Sequence, residues 1–168
     1  MKFLITPRVR TGSLVATAKY HHIPHDWKIA LESRYSSQYT GGGDFGLIDG
    51  IRGTENWSGG GWQGYQGKDF IAVLDLGSVR EVSSVGAGFL QDVGSWIYMP
   101  ARVEIQLSMD GKSFGPAISI GNDVNEREGV VIKDFVKSIP PQKARYVKIR
   151  AVNLRAEGWI FVDEILIQ

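Results

Sequence analysis

The chain has 168 residues, is 43% hydrophobic and carries a net charge of +1 from 19 basic and 18 acidic side chains. This length predicts one domain with a short extension. The balanced charge provides no basic surface for nucleic acid, and no segment approaches the roughly 18 apolar residues that span a membrane. The chain contains no cysteine, which excludes disulfides and thiolate metal sites.

The N-terminal part of the chain gives few signals. Its first apolar run is short and interrupted by Pro7, so we do not expect a signal peptide. We interpret residues 1–27 as an extension or linker and residues 28–168 as the domain. His21, His22 and His25 lie close together in the sequence, and clustered histidines can bind zinc. Their spacing matches no standard zinc site, however, and an ordinary surface loop is the alternative interpretation.

Short apolar and alternating segments dominate the rest of the chain. In Arg102–Ser108, for example, apolar and polar residues alternate with the period of a strand that has one solvated face. The predicted strands are Lys28–Ser33, Phe70–Leu76, Val82–Leu90, Arg102–Ser108, Arg145–Arg150 and Ile165–Ile167. Tyr39–Trp62 is rich in Gly, Asn, Asp and Ser and is predicted to be a long loop. Several short strands separated by turns predict an all-β sandwich or barrel.

The segment Gly46–Trp57 contains an Asp49–Gly50 turn followed by Thr54. A turn that presents a carboxylate, a hydroxyl and several free carbonyls can surround a hard cation such as calcium. An ordinary loop with an Asx turn is the alternative, because Asp-Gly turns are common.

This segment resembles the calcium loop of discoidin domains, also called coagulation factor V/VIII type C domains, which in bacteria include the family 32 carbohydrate-binding modules. Val73–Gly77 and Val103–Lys112 also fit the family, and the resemblance covers roughly residues 28–168. It implies a jelly-roll β-sandwich, discoidin-like and galactose-binding-domain-like, with structural Ca²⁺. The residues that the resemblance assigns to calcium are Gly46, Asp49, Ile51, Thr54, Asp163 and Glu164.

Aromatic residues are frequent in segments predicted to be loops. A ring can stack on the apolar face of a sugar, while neighbouring amides and carboxylates bind its hydroxyls. We expect these loops to converge at one end of the sandwich, with Trp159 or Trp62 as the stacking platform; packing within the domain is the alternative, above all for Trp57. The candidate carbohydrate-binding residues are Trp62, Tyr65, Gln91, Asp92, Trp96 and Trp159.

The resemblance also implies a biological setting. Many galactose-binding members carry an Arg in the loop that here reads Phe89–Trp96, which has none, so the resemblance does not imply specificity for galactose. The candidate ligands are an N-acetylhexosamine and a galactose-type sugar. The segment is similar to discoidin domains at the C-terminal end of bacterial family 20 β-hexosaminidases. We therefore expect a non-catalytic accessory domain of an exported, extracellular or periplasmic glycosidase. The alternative is a domain that packs on its catalytic neighbour without binding sugar. Binding to membrane lipid is not favoured by the balanced charge.

Overall fold

The computed structural model describes residues 25–168, and within them the regular structure is almost entirely β-strand. The first three strands are β1 (Lys28–Leu31), β2 (Gln63–Gln66) and β3 (Phe70–Gln91). They are followed by β4 (Arg102–Ser108), β5 (Ile118–Gly121), β6 (Val131–Val152) and β7 (Trp159–Ile167). Four short 3-10 turns are described as well, at Asp44–Leu47, Trp57–Gly59, Val93–Ser95 and Glu126–Glu128. None of them has the length or apolar character of a membrane-spanning helix.

The strands form one antiparallel network in the order β2-β7-β3-β6-β4-β5, with β1 added beside β3. The network becomes two layers because β3 and β6 each run through both of them. The first part of β3 pairs with β1 and with the end of β6, while its second part pairs with β7 and with the start of β6. The predicted all-β sandwich is confirmed.

The bend in β3 lies between the two segments that the sequence predicts as separate strands. Its register with β6 shifts between Asp75 and Arg80 and again between Val82 and Ser84. Gly77 takes a left-handed φ of 78° at this bend, a conformation that favours glycine. The prediction of two strands, 70–76 and 82–90, was therefore wrong in detail, since β3 continues from Phe70 to Gln91 although its pairing with β6 is interrupted between Asp75 and Arg80.

The core lies between the two layers and is filled by alternate residues of the long strands. In the first part of β3, Phe70, Ala72, Leu74 and Leu76 are all fully buried, as the alternating pattern requires. Trp27 packs against this core from just before β1. The predicted start of the domain at residue 28 is not tested, and most of the predicted extension, including His21 and His22, lies outside the described residues.

A second, smaller aromatic cluster lies beside the main core. Trp62, Leu90, Ile97 and Phe161 form its buried part. Tyr39, Trp57 and Trp159 pack around it, partly exposed. This cluster joins the long loop 39–62 to the start of β7, and so it supports both candidate sites described below.

Candidate functional site

The loop that follows β3 presents an exposed tryptophan in a strained conformation. Trp96 has a positive φ of 62° and is the one described non-glycine residue with positive φ, and its side chain is 58% exposed. The loop is closed by paired hydrogen bonds between Asp92 and Ile97. An exposed aromatic held in a sparsely populated backbone conformation is typical of ligand sites.

Backbone hydrogen bonds fix this loop to the start of β7. The Trp159 N–H donates to the Trp96 carbonyl at 2.8 Å, and the Tyr98 N–H donates to the Trp159 carbonyl at 2.9 Å. The two tryptophans are therefore held side by side on a rigid scaffold. Trp159 is half-buried, with its ring in edge-to-face contact with Tyr39 at 5.1 Å and with Phe161 at 5.9 Å between centroids.

Two adjoining shallow depressions surround Trp96. The larger has a volume of about 510 Å³, and its lining residues are Gln66, Gly67, Trp96, Ala156, Glu157 and Trp159. The smaller has a volume of about 340 Å³, and its lining residues are Trp96, Tyr98, Arg155, Ala156, Glu157 and Gly158. Trp96, Ala156 and Glu157 belong to both depressions, so together they form one open surface with an aromatic centre.

The polar groups of this surface differ in how they are paired. Arg155 donates from Nη2 to both carboxylate oxygens of Glu126, at 2.8 and 3.0 Å, and its guanidinium lies 5.4 Å from the Tyr98 ring centroid. The bond to Glu126 raises the pKa of Arg155. Glu157 makes no salt bridge with any residue in the described range 25–168.

The structure corrects the prediction for Trp62 and Tyr65. Trp62 is 1% exposed: its indole N–H donates to the Thr54 carbonyl at 2.8 Å, and its ring packs directly over Gly53. Tyr65 is fully buried and donates its hydroxyl hydrogen to Gln63 at 2.8 Å. Neither ring offers a face to a sugar. The loops do meet at one end as predicted, since residues 66 and 67 share the larger depression with Trp96 and Trp159.

The prediction for Gln91 is also wrong. Gln91 is 1% exposed, and its amide nitrogen donates to the carbonyls of Asn125 at 2.9 Å and Gly129 at 3.4 Å. It ties β3 to the 125–129 loop instead of facing a ligand. Asp92 is partly exposed and accepts a hydrogen bond from the Ser95 hydroxyl at 2.7 Å, which stabilises the turn before Trp96.

The second group of candidate residues lies along β7, where two acidic residues follow one another. The register between β7 and β3 shifts by one residue between Ala87 and Phe89, so Asp163 and Glu164 together face Gly88. Both acidic residues are buried, at 2% and 6% exposed. A β-bulge of this kind allows two successive side chains to be buried where a regular strand would alternate.

The Asp49 loop is attached to this bulge at Glu164. The Gly50 N–H donates to Glu164 Oε1 at 3.2 Å, while the Ile51 N–H donates to Asp49 Oδ1 at 2.8 Å. Glu164 Oε2 is buried without a hydrogen-bond partner. Burial raises the pKa of Glu164 to about 8, with a further contribution from the negative charge of Asp49.

A salt-bridge group that the sequence analysis missed lies beside Glu164. Arg52 donates from Nε to Asp163 Oδ2 at 2.8 Å and also pairs with Asp134 of β6, and the Gly53 N–H reaches the same Asp163 oxygen at 2.9 Å. The hydrogen bond to Asp134 is the main cause that raises the pKa of Arg52. A side chain at Gly88 would meet Asp163, Arg52 and Asp134. Glycine is required there because the three charged groups occupy the space above it.

Comparison with known families decides the classification. The family model for the F5/8 type C domain matches residues 32–165. The chain belongs to the F5/8 type C family. No curated protein sequence matches this F5/8 type C domain.

Solved structures with the same fold as this F5/8 type C domain share little sequence with it. The module CpGH89CBM32-5 of Clostridium perfringens, in complex with GalNAc-β-1,3-galactose, has a TM-score of 0.58 at 19% identity, covering 84% of this chain and 94% of that one. The module CBM32-3 from a family 31 glycoside hydrolase of the same organism has a TM-score of 0.56 at 13% identity. The match covers 84% of this chain and 89% of that one. A chitosan-binding module from a Paenibacillus sp. IK-5 chitosanase/glucanase has a TM-score of 0.56 at 15% identity. The match covers 89% of this chain and 99% of that one.

The residues of this F5/8 type C domain fit a hard cation at the Asp49 loop. A buried carboxylate oxygen without a partner, with a second carboxylate near it, favours a positive charge. Residues 25–168 contain no group of three or more His, Cys, Asp or Glu side chains arranged for a metal. The other ligands would therefore be backbone and hydroxyl oxygens, which calcium accepts. The Asp163 Oδ2 atom accepts hydrogen bonds from Arg52 and Gly53, and the resemblance assigns the backbone carbonyl of Asp163, not its carboxylate, to the cation.

Proposed function

We propose that this domain is a carbohydrate-binding module whose platform is the pair Trp96 and Trp159. The observation that carries the proposal is the exposed, conformationally strained Trp96, held beside Trp159 by backbone hydrogen bonds. A large aromatic ring exposed to water is unfavourable, so its presence at the surface points to contact with a partner. The flat ring faces suit the apolar face of a pyranose, and Glu157, Gln66 and Arg155 stand at the rim, where hydroxyl groups need hydrogen-bond partners.

The shape of the surface favours weak, exposed binding. Both depressions are open, and a sugar lying on them buries little area. We expect a dissociation constant of roughly 0.1–1 mM, which corresponds to about −4 to −5.5 kcal/mol. Structures with this fold differ in the sugars they bind: one is in complex with GalNAc-β-1,3-galactose, and another is a chitosan-binding module. The fold alone therefore supports a sugar and not one particular sugar.

We further propose that Ca²⁺ stabilises the fold at the Asp49 loop. Asp49 and Glu164 would supply carboxylate oxygens, and Gly46, Ile51, Thr54 and Asp163 would supply backbone or hydroxyl oxygens. The support is the orphaned, buried Oε2 atom of Glu164. A cation there compensates its charge and joins an early loop to the last strand, which stabilises the native state by mass action.

The proposed setting is an accessory, non-catalytic domain of an exported bacterial glycosidase of the β-hexosaminidase kind. A neighbour with the same fold comes from a family 31 glycoside hydrolase, and the sequence resemblance supports the family 20 assignment. Such a parent enzyme acts outside the cytoplasm, so the proposed location is extracellular or periplasmic.

A glycan array with the isolated chain, followed by titration calorimetry with the strongest ligands, tests the carbohydrate proposal. Trp96→Ala should abolish detectable binding while changing the melting temperature little, because the side chain is 58% exposed. Met109→Ala is the matched control, since Met109 is 53% exposed and lines neither depression. Unchanged affinity in the Trp96 variant, or no glycan bound by the wild-type chain, would contradict the proposal.

One observation favours the alternative of docking on a neighbouring catalytic domain. Three apolar side chains near the start of β6 are each exposed by 37% or more. They are Val130, which directly precedes the strand, and Ile132 and Val136 within it. Alternate residues of a strand share a face, so these three apolar side chains lie on one face, where the charged Asp134 separates Ile132 from Val136. If the array finds no ligand, Ile132→Ser with Val136→Ser in the parent enzyme should loosen the domain from its neighbour, as measured by limited proteolysis.

A further inference from the structure

We propose that the sugar bound at this surface carries a free, positively charged amino group, as in glucosamine or galactosamine units, and that Glu157 pairs with it. This inference rests on the proposed carbohydrate function and narrows its ligand to one chemical class. It is carried by the unequal pairing of the charged groups around Trp96.

Glu157 is an exposed carboxylate of the binding surface. It lines both depressions, and it makes no salt bridge within residues 25–168. A carboxylate in that place is stabilised by water in the free protein, and a bound sugar displaces part of this water. A ligand that brings its own cation restores the lost stabilisation, whereas hydroxyl groups restore it only in part.

Arg155 is the one cationic side chain that lines the depressions among the described residues, and its charge is already compensated. Glu126 accepts both of its hydrogen bonds at 2.8 and 3.0 Å, and the guanidinium lies against the Tyr98 ring. A uronic or sialic acid would have to share the Arg155 charge with Glu126 and would also meet the negative charge of Glu157. The surface therefore disfavours acidic sugars.

The aromatic rings favour the same kind of ligand as the carboxylate does. The faces of Trp and Tyr attract cations through their quadrupoles, and tryptophan does so most strongly. Trp96 and Trp159 line the larger depression together with Glu157. A protonated amino sugar stacked there would meet the exposed Trp96, the accessible part of Trp159 and one carboxylate, and no basic residue lines this depression among those described.

The position of Glu157 also sets an expectation for ligand length. Because it belongs to both depressions, an oligosaccharide that covers both of them passes over the carboxylate. An oligomer of two or more amino sugar units should therefore bind more tightly than the monosaccharide.

The test compares two ligands that differ only at the nitrogen: β-1,4-linked glucosamine oligomers and the fully N-acetylated oligomers of the same length. Titration of the purified chain at low salt should show an affinity about three- to fivefold higher for the free-amine oligomer, as expected for one exposed ion pair. The preference should disappear near 1 M salt, where the Debye length is about 3 Å.

Two variants assign the preference to one residue. Glu157→Gln should remove the three- to fivefold advantage of the free-amine oligomer and leave binding of the acetylated oligomer unchanged. Glu81→Gln is the control, because it makes the same change in net charge at a residue that lines neither depression. It should keep the full advantage.

The outcomes separate this inference from the function on which it rests. Equal or tighter binding of the acetylated oligomer, or the same loss for both oligomers in Glu157→Gln, would overturn the amino-sugar inference and leave the carbohydrate function standing. Loss of the preference in Glu81→Gln would assign it to overall charge and would also overturn the inference. Absence of binding to any glycan would overturn both.

Discussion

The buried carboxyl group of Glu164 should make the stability of the calcium-free domain depend on pH in an unusual direction. Its pKa is raised to about 8, mainly by burial. In the unfolded chain the same group ionises near its ordinary value of 4.5. A group whose pKa is higher in the folded state contributes stability that is complete at low pH and is lost as the pH rises through the folded pKa.

The magnitude follows from the difference between these two pKa values. At about 1.4 kcal/mol per pH unit, the interval from 4.5 to 8 corresponds to at most about 5 kcal/mol in the free energy of unfolding. Relaxation and water entry around the ionised group reduce this maximum, so we expect a loss of roughly 2–5 kcal/mol between pH 5 and pH 9 in EDTA.

Urea unfolding monitored by tryptophan fluorescence, at several pH values from 5 to 9, measures this loss. Glu164→Gln removes the titrating group and keeps an oxygen that can accept the Gly50 N–H, so the loss of stability that Glu164 causes at rising pH should be absent from this variant in EDTA. His25, whose pKa is lowered chiefly by burial, contributes with the opposite sign in this range. The difference between wild type and Glu164→Gln isolates the contribution of Glu164.

Calcium should reverse the trend, because the ion and the proton compete for the same carboxylate. With excess Ca²⁺, the stabilisation of the wild type should grow from pH 5 to pH 8, and Glu164→Gln should lose most of it. A wild-type stability that does not change with pH in EDTA, or parallel curves for the two proteins, would refute the reasoning about Glu164. No calcium effect at any pH would refute the metal proposal.

Three further substitutions test other parts of the structure. Trp62→Ala should lower the free energy of unfolding by roughly 3–5 kcal/mol, because the ring is buried in the second cluster; denaturant unfolding measures it, and a loss below 1 kcal/mol would contradict the burial. Gly88→Ala places a methyl group against Asp163 and Arg52 and should cost roughly 1–3 kcal/mol in the same assay. Arg145 lowers the pKa of Asp75 to about 2, so stability from this pair is present above about pH 4 and lost toward pH 2. Asp75→Asn should abolish that acid-dependent loss, at a cost of at most about 1 kcal/mol at neutral pH because the pair is partly exposed.

The fold was predictable because its strands alternate in sequence. Arg102–Ser108 became β4 with the predicted bounds, and its inward residues Val103 and Ile105 are fully buried. The joining of 70–76 and 82–90 into one bent strand was not predictable, since residues 77–81 at the bend are all exposed and show no alternation. The continuity of β3 depends on its pairing with β6 on both sides of the interruption between Asp75 and Arg80.

The candidate site was predictable in position but not residue by residue. Local sequence shows that Trp62 and Trp96 both lie beside glycines, and it cannot show which ring turns inward. Trp62 is buried because the Thr54 carbonyl accepts its indole N–H and Gly53 leaves room for the ring, both of which depend on how the long loop folds back. Trp96 is exposed because its backbone is held at a positive φ by the turn.

The missed residues share one physical cause, which is that their roles depend on partners distant in sequence. Arg52 follows the Asp49 turn directly, and its partners Asp134 and Asp163 lie 82 and 111 positions further along the chain. Arg155 lies in the loop before β7 and meets Trp96, which lies in the loop after β3, at one depression, a proximity that local sequence does not show. A charged residue next to a recognised motif is the signal that could have identified Arg52.

Strand β7 connects the two proposed sites without merging them. Trp159 begins the strand at the sugar surface, and Glu164 lies five positions later at the Asp49 loop. At about 3.3 Å per residue, roughly 16 Å of strand separates them. A cation at Glu164 therefore has no direct contact with a sugar on Trp159, and its effect on binding must pass through the aromatic cluster that Trp62 links to the Thr54 carbonyl. Because that cluster is closely packed at its buried positions, we expect that the proposed metal would act on the proposed sugar surface by keeping the domain folded and not by shaping the platform.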